Sequence, residues 1–189
     1  MTFHKLLIAN RGEIACRIIK TAHEMGISCV AVYTEADSNS PFVRMADEAI
    51  KLSDTYLNGK EIIDAAKQTG AQAIHPGYGF LSENAKFSRD VLKEGLIWVG
   101  PSSKVITSMG DKLKAKDIAE RAGVPTLPMT TDPKKANTIG YPILIKAAAG
   151  GGGKGMRIVE DKKDLKEAIA GAQREAQTGF GDDRVFIER

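Results

Sequence analysis

The chain has 189 residues, of which 42% are hydrophobic and 27% charged, and a formal net charge of +3. This composition suits one large or two small soluble domains. The basic residues are spread along the sequence, which argues against a nucleic-acid-binding protein. No apolar run approaches the length of a membrane span, and the first predicted strand starts close to Met1, so we expect no targeting segment. Cys16 and Cys29 fit no metal or CxxC spacing and predict buried free thiols in a reducing compartment.

The first part of the sequence alternates short apolar runs with amphipathic segments. Strands are predicted at 5–9, 28–33, 48–52, 71–74 and 96–99. Helices are predicted between them, at about 11–25, 41–46, 61–68 and 85–93. Strands that alternate with helices indicate βαβ units and a parallel sheet covered on both faces, within a first domain of about residues 1–110.

The helix starts in this part have their own signals. Asn10 and Glu13 predict a capping box at the start of the first helix, and Ser82 is a candidate cap for the helix near residue 85. The segment 10–13 also stands where a dinucleotide-binding domain would carry GxGxxG. The absence of that fingerprint argues against a nicotinamide-dependent dehydrogenase.

The second part of the sequence predicts a smaller α+β unit. Two helices, 103–109 and 112–122, are hinged at Gly110 and Asp111, and Asp111 is a plausible N-cap. Three prolines between residues 124 and 133 predict a connector, since proline donates no backbone hydrogen bond. The remaining elements are predicted strands at 141–147, 156–159 and 185–188 and a predicted helix at 163–177.

Four consecutive glycines, 150–153, separate two of these apolar runs. Their amides can form a concavity for phosphate oxygens, because no side chain keeps an anion off the backbone. In P-loops and dinucleotide folds the glycines open a helix, whereas the alternating run 156–159 predicts a strand here. The stretch therefore predicts a mobile hairpin tip that closes over phosphates. A flexible linker is the alternative interpretation.

Charged residues near the glycines favour the phosphate interpretation. Lys146 precedes the tract, Lys154 follows it, and Lys112 begins the helix after Asp111. A polyphosphate needs such a set of cations, although Lys112 considered alone would be an ordinary solvated charge. Glu188 ends the last predicted strand, where it could accept from an amino group or be a surface glutamate of no special role.

The segment 75–84, HPGYGFLSEN, follows the fourth predicted strand, at the sheet edge where open α/β folds bind ligands. Tyr78 lies between two glycines and could present its ring at close range, but a turn-rich structural loop is equally compatible. His75 is interpreted as a structural histidine. With three histidines and no HxH or HExxH spacing, no histidine metal site is predicted.

Taken in order, seven segments resemble the biotin carboxylase component of biotin-dependent carboxylases, which belong to the ATP-grasp superfamily. They are ANRGEIACRI (9–18), HPGYGFLSEN (75–84), VGPSS (99–103), MGDK (109–112), AGVP (122–125), YPILIKA (141–147) and GGGGKGMRIV (150–159). The resemblance covers the whole chain. HPGYGFLSEN is its most specific motif, whereas the glycine loop by itself would indicate only an ATP-grasp protein.

The resemblance implies a fold class and two domains. We expect an α/β chain whose N-terminal domain, residues 1–112, is Rossmann-like with a parallel sheet, the pre-ATP-grasp type. Residues 113–189 would then form the first part of an ATP-grasp domain, with a small α+β lid at about 130–189.

Site residues are also implied by the resemblance. Lys112 and Lys146 would bind the phosphates of ATP, Gly152 and Gly153 would lie over them, and Glu188 would open the hinge on the adenine side. No catalytic residue and no metal ligand is expected within these residues. The family's magnesium-binding glutamates, and its residues that act on bicarbonate and biotin, would lie beyond residue 189.

The family's reaction is the ATP-dependent carboxylation of biotin, with bicarbonate as carbon source and with Mg²⁺ as the metal. Partners implied by the resemblance are a biotin carboxyl carrier domain, a carboxyltransferase and a second copy of the chain. A cytoplasmic location is expected. Other interpretations are another ATP-grasp ligase, such as a relative of carbamoyl-phosphate synthase, or a non-catalytic nucleotide-binding or dimerisation module.

The apolar run 185–187 lies two residues from the end of the sequence. A domain seldom ends on an apolar strand with no further layer to cover it, so we expect the sequence to be a fragment that is inactive alone. A natural end, with that strand at a sheet edge, is the alternative.

Overall fold

The computed structural model describes residues 3–150 and 156–189. It divides into two compact units, Met1–Thr107 and Ser108–Arg189, which are described one at a time. Among the helices of the described residues, none has the length and apolar character needed to cross a bilayer.

The first unit is built on a five-stranded sheet in the order β3-β2-β1-β4-β5, in which every neighbouring pair is parallel. The strands are β1 (Lys5–Ile8), β2 (Ser28–Tyr33), β3 (Glu48–Lys51), β4 (Ala73–His75) and β5 (Ile97–Trp98). The predicted parallel sheet is therefore confirmed. Its carboxyl edge gathers the loops that follow each strand, which is where such sheets present their functional groups.

Helices cover both faces of this sheet. They are α1 (Gly12–Glu24), α2 (Pro41–Met45), α3 (Gly59–Thr69), α4 (Ala85–Lys93) and α5 (Ser103–Gly110), the last of which contains the boundary between the units. Alternate residues of β1 enter different cores: Leu7 packs on the α3–α4 side, and Leu6 and Ile8 pack on the α1 side. This is why the strands read as continuous apolar runs.

The predicted capping box at the start of α1 is wrong. The N-cap is Arg11, with no side-chain cap hydrogen bond. The Asn10 side chain is buried and donates instead to the carbonyls of Pro76 and Tyr78, both at 2.7 Å. Glu13 accepts from the Tyr78 hydroxyl at 2.5 Å. Both members of the proposed box are thus used to hold the loop after β4.

The predicted cap of α4 is also wrong. Asn84, not Ser82, is the N-cap, and its side-chain oxygen accepts from the Phe87 amide at 2.9 Å. A tight turn that precedes the helix explains the difference, because the Ser82 amide donates to the Gly79 carbonyl there.

The second unit contains a four-stranded antiparallel sheet in the order β6-β9-β7-β8. The strands are β6 (Met129–Thr130), β7 (Ile143–Ala147), β8 (Arg157–Val159) and β9 (Val185–Glu188), and the helices are α6 (Lys112–Arg121), α7 (Ala136–Ile139) and α8 (Leu165–Phe180). β6 lies inside the predicted connector, and α7 was not predicted.

The two faces of strand β7 differ: one packs into the core of this unit, and the other is half-buried. Ile143, Ile145 and Ala147 are buried, and the first two join the core with α8. Leu144 and Lys146, which alternate with them, are half-buried on the opposite face. β7 pairs antiparallel with β8, so the predicted strands on either side of the glycine tract are confirmed. Gly152, Gly153 and Lys154 lie outside the described residues.

Candidate functional site

The start of α6 is fixed by its cap. Asp111 is the N-cap, as predicted, and its Oδ1 accepts from the amides of Leu113 at 3.0 Å and Lys114 at 3.1 Å. Its other oxygen accepts from the Arg184 guanidinium at 3.1 Å. Lys112, the first residue of the helix, is thereby held at a defined position beside the end of β7.

Lys112 is bound to the backbone that leads into the glycine loop. Its Nζ donates to the carbonyls of Ala147 at 3.0 Å, Ala149 at 3.3 Å and Gly150 at 2.5 Å. Its own amide donates to the Ala148 carbonyl at 3.1 Å. Burial lowers the pKa of the ammonium group, and the nearby charge of Lys146 lowers it further. A positive charge is therefore placed at the base of the loop, supported by carbonyl dipoles and not by a carboxylate.

The backbone at Gly150 requires glycine. Its φ is +74°, a conformation that L side chains rarely adopt, and an added Cβ would lie 2.1 Å from Cε1 of Phe180. The ring at the end of α8 thus sets the course of the chain where it enters the loop.

Lys146 and Glu188 form an ion pair on the half-buried face of the sheet. Leu144 is the cross-strand neighbour of Glu188, and Lys146 stands two residues further along β7, opposite Phe186. This diagonal arrangement brings Nζ of Lys146 to Oε2 of Glu188, whose side chain is only 8% exposed. Glu188 is therefore not a surface glutamate.

A third lysine, missed by the sequence analysis, completes the cluster. Lys116 lies one turn after Lys112 on α6, and its Nζ donates to Oε1 of Glu188 at 2.5 Å. Burial opposes ionisation of Glu188, but the hydrogen bonds from Lys116 and Lys146 outweigh it and lower the pKa of the carboxyl group. The four-residue spacing from Lys112 was the available signal.

The second unit thus brings together three of the five residues that the resemblance implied: Lys112, Lys146 and Glu188. The other two, Gly152 and Gly153, fall outside the described residues. Three ammonium groups stand against one carboxylate at the base of the glycine loop, an excess of positive charge suited to a polyanion.

An apolar shelf adjoins these charges. It lines a cavity of about 440 Å³ together with Arg189 and is formed by Pro142, Ile143, Leu144, Met156 and Ile158. Ile158 is 70% exposed, which is unusual for such a side chain. A flat apolar surface next to cations offers complementary contacts to a ligand with a ring at one end and phosphates at the other.

The loop after β4 in the first unit is held by internal contacts. Nδ1 of His75 accepts from the Gly77 amide at 3.0 Å, and burial lowers the pKa of the ring. These contacts agree with a structural histidine. Tyr78 is 58% exposed, and the hydrogen bond to Glu13 raises the pKa of its hydroxyl.

An ion pair between an exposed arginine and a buried aspartate lies at the carboxyl edge of the parallel sheet. Arg11 donates to both oxygens of Asp37 at 2.5 Å, and the Tyr56 hydroxyl donates to Oδ2 at 2.6 Å. The Arg11 guanidinium holds the pKa of Asp37 at about 2. The sequence analysis did not identify this network, because its members are far apart in the chain and only Arg11 lies in one of the quoted segments.

One group of potential metal ligands was not predicted from the spacing of histidines and cysteines in the sequence. His23, Cys29 and Asp47 place their ligand atoms within 4.8 Å of one another. Asp47 accepts from the Cys29 amide at 2.7 Å and contacts the His23 ring at 2.9 Å, and burial raises the pKa of the Cys29 thiol to about 11. These contacts join β2 to the segment before β3, and a protonated, buried thiol suits that structural role. Cys29 and Cys16 are both free, as predicted; Cys29 is buried, as predicted, whereas Cys16 is only half-buried.

Comparison with known families assigns the two parts of the chain separately. Residues 2–106 match the family described as biotin carboxylase, N-terminal domain. Residues 111–189 match the family described as carbamoyl-phosphate synthase L chain, ATP binding domain. The first match alone covers more than half of the chain.

Relatives of known function are biotin-dependent carboxylase subunits. The chain is 52% identical to the mitochondrial methylcrotonoyl-CoA carboxylase subunit alpha of Dictyostelium discoideum, over 98% of this chain and 28% of that protein. It is 50% identical to the propionyl-CoA carboxylase alpha chain of Ruegeria pomeroyi, over 99% of this chain and 29% of that protein. The chain therefore spans less than a third of the length of these relatives.

Solved structures give the same assignment. A biotin carboxylase complex with β,γ-ATP from Campylobacter jejuni superposes with a TM-score of 0.94 at 44% identity, over all of this chain and 45% of that one. The biotin carboxylase domain dimer of Hydrogenobacter thermophilus 2-oxoglutarate carboxylase, bound to MgADP, ADP and bicarbonate, gives 0.92 at 46% identity, over all of this chain and 44% of that one. The expected fold class, a parallel-sheet α/β domain followed by part of an ATP-grasp domain, is confirmed, and the chain belongs to the biotin carboxylase family.

Proposed function

We propose that this chain is the amino-terminal part of a biotin carboxylase and contributes the residues that bind the phosphates of ATP. The observation that carries the proposal is the cluster of Lys112, Lys146 and Glu188 at the base of the glycine loop. The domains proposed are residues 1–112 and 113–189, with the lid at about 130–189. Gly152 and Gly153 complete the proposed phosphate site.

In the proposed reaction a bicarbonate oxygen attacks the terminal phosphorus of ATP. A phosphorus–oxygen bond forms, the bond to the leaving ADP breaks, and the product is carboxyphosphate. Its carboxyl group then passes to a nitrogen of carrier-bound biotin, which loses a proton, and phosphate is released. Charge neutralisation and positioning supply most of the catalysis in phosphoryl transfer, and Lys146 and Lys112 are suited to both tasks.

The apolar shelf is suited to the adenine ring of the nucleotide. Leu144 and Lys146 share one face of β7, so a ring that lies on Leu144, Met156 and Ile158 would direct its phosphates toward the lysines. A closed glycine loop would also keep water from carboxyphosphate, which hydrolyses easily.

Magnesium does not fit the described residues of this site. Mg²⁺ prefers carboxylate and water oxygens, and both oxygens of Glu188 already accept from lysines. We therefore propose that the metal ligands are supplied by another part of the protein. No catalytic residue is assigned within this chain.

The partners proposed are a biotin carboxyl carrier domain, a carboxyltransferase and a second copy of the chain. The methylcrotonoyl-CoA and propionyl-CoA carboxylase subunits named above support the first two. The solved dimer of the 2-oxoglutarate carboxylase domain supports the third. We propose a cytoplasmic location for this protein, whereas several of its relatives are mitochondrial.

A second candidate function rests on the family match of residues 111–189 to a carbamoyl-phosphate synthase ATP-binding domain. Such an enzyme forms a similar carboxyphosphate but passes it to ammonia. ATP cleavage that depends on free biotin, and does not respond to ammonia or glutamine, would distinguish the two.

The test is Lys146→Ala in the complete protein that contains this chain. Loss of a charge-assisted hydrogen bond to phosphate should weaken ATP binding about 10- to 100-fold and reduce biotin-dependent ATP cleavage. Lys166→Ala, an exposed lysine on α8, is the control and should change neither. Unchanged affinity in Lys146→Ala would show that this residue is not part of the site.

The isolated chain of 189 residues should bind ATP weakly and catalyse no reaction. Micromolar binding measured by calorimetry would contradict that expectation.

A further inference from the structure

Lys116 is buried more deeply than a helix-surface lysine. It lies on the same face of α6 as Lys112, four residues earlier, but its side chain is only 14% exposed. Its Nζ donates to Oε1 of Glu188 at 2.5 Å and to the carbonyl of Leu127 at 2.7 Å. A lysine seldom gives up hydration to this extent without a specific partner.

The partner carboxylate is shared. Lys116 occupies Oε1 of Glu188 and Lys146 occupies Oε2, and Glu188 itself is 8% exposed on its side chain. Because β9 lies between β6 and β7, Glu188 is central in the sheet and its backbone is fixed on both sides. The carboxylate position is therefore set by which lysines hold it.

This sharing controls how much of the Lys146 charge is cancelled. Because one carboxylate is shared by two ammonium groups, it cancels only part of the charge of Lys146. The remaining positive charge is available to a ligand. If Lys116 lost its charge, Glu188 would turn its full charge to Lys146 and neutralise the cation needed by phosphate. Lys146 would then stay paired with Glu188 and would bind a phosphate less tightly.

We propose that Lys116 is a positioning residue of the nucleotide site: by holding one oxygen of Glu188 it keeps Lys146 available to phosphate. The inference rests on the proposed function, since it assumes that Lys146 meets the phosphates of ATP. It assigns to Lys116 no contact with the nucleotide.

A purely structural role for Lys116 is the competing explanation. The hydrogen bond to Leu127 ties α6 to the residues before β6, and its loss alone would disturb the unit as a whole. The two roles differ in what they change: positioning affects ligands that carry phosphates, whereas a structural role affects every ligand of the unit.

The experiment compares Lys116→Met with Lys116→Arg in the complete protein that contains this chain. Methionine keeps the length of the side chain without its charge, and arginine restores the charge. Calorimetry with ATP and competition with adenosine should show a 5- to 20-fold weaker affinity for ATP in Lys116→Met and less than a 2-fold change for adenosine. Lys116→Arg should bind ATP within about 3-fold of the unaltered protein. Lys114→Met, an exposed lysine of the same helix, is the matched control.

A second comparison keeps the proposal testable if Lys116→Met is poorly folded. In the Glu188→Gln background the loss of Lys116 should have a much smaller effect on ATP affinity, because there is no carboxylate left to neutralise Lys146. Equal weakening for ATP and adenosine, failure of arginine to restore binding, or full additivity with Glu188→Gln would each overturn the proposal. If the unaltered protein binds no ATP, the proposed function itself fails, which is a separate result.

Discussion

Each of the two units places charged side chains beside a sheet, but with opposite balance. In the first unit Arg11, Asp37 and Tyr56 form a closed network in which the buried carboxylate meets a guanidinium and a hydroxyl. In the second unit one carboxylate, Glu188, faces Lys116 and Lys146, and Lys112 adds a further cation on backbone carbonyls.

The difference separates charges that are paired within the fold from charges that we propose bind a ligand. A buried carboxylate whose partners are all within the protein adds to the free energy of unfolding and has nothing left to offer a substrate. Surplus ammonium groups repel one another and so lower the free energy of unfolding. The binding of an anion raises it again. The sheet edge of the first unit is thus occupied by the protein's own side chains, whereas the proposed phosphate site lies in the second unit.

The largest effect expected from this comparison is on stability, in Asp37→Ala. Removal of the carboxylate leaves Arg11 and the buried Tyr56 hydroxyl without their partner and should lower the free energy of unfolding by about 3 kcal/mol. The single tryptophan, Trp98, lies in the first unit and reports urea unfolding there. Asp64→Ala, which removes an exposed pair with Lys60, should change it by less than about 0.5 kcal/mol. A loss of ATP affinity in Asp37→Ala would contradict the separation of roles.

The next effect concerns the backbone that carries the surplus charge. Gly150→Ala should destabilise the second unit by about 2 kcal/mol, because φ is positive and the new Cβ meets the Phe180 ring. Gly181→Ala has a similar φ of +69° with no atom near the new Cβ, and should cost about 1 kcal/mol. Hydrogen exchange of the β7 and β9 amides measures both. Equal losses would show that the Phe180 contact is relieved at no cost, and a shift in the Trp98 transition would show that the units respond together.

The smallest effect is a dependence on pH. The pKa of Asp37 is about 2 in the folded protein against an ordinary 3.8, so its contribution is present above pH 4 and is lost as the pH falls toward 2. It amounts to about 1 to 2 kcal/mol. The difference in unfolding free energy between the unaltered protein and Asp37→Ala should therefore shrink between pH 5 and pH 2.5. A constant difference would mean that Arg11 does not favour the ionised form.

The sequence predicted the first unit well because its inner strands β1, β2 and β4 are buried on both faces. Continuous apolar runs and intervening amphipathic helices leave few alternatives to a parallel sheet. The errors occurred where one side chain meets a distant partner. Asn10 looks like a cap locally, but it bonds to the carbonyls of Pro76 and Tyr78. β6 has only two residues between prolines and exists because Met129 and Thr130 pair with β9.

The candidate site was predictable only as far as its motifs extend. Lys112 and Lys146 belong to segments with recognisable neighbours and Glu188 ends a predicted strand, and the structure brings the three together. Lys116 belongs to no such segment: its four-residue spacing from Lys112 predicts that the two share a face of α6, but the sequence alone does not show that Lys116 turns inward. That orientation is set by the buried carboxylate on β9, which is 72 residues away in the chain.

Strand β9 has a consequence for how the protein is made. It is the last strand of the described residues, yet it lies inside the second sheet, between β6 and β7. During synthesis β7 and β8 can pair as soon as they emerge, whereas β6 has no neighbour in that sheet until residues 185–188 arrive. A ribosome-bound chain that stops short of this point would lack the strand that joins β6 to β7, so the sheet that positions Lys146 should be completed only when residues 185–188 have emerged.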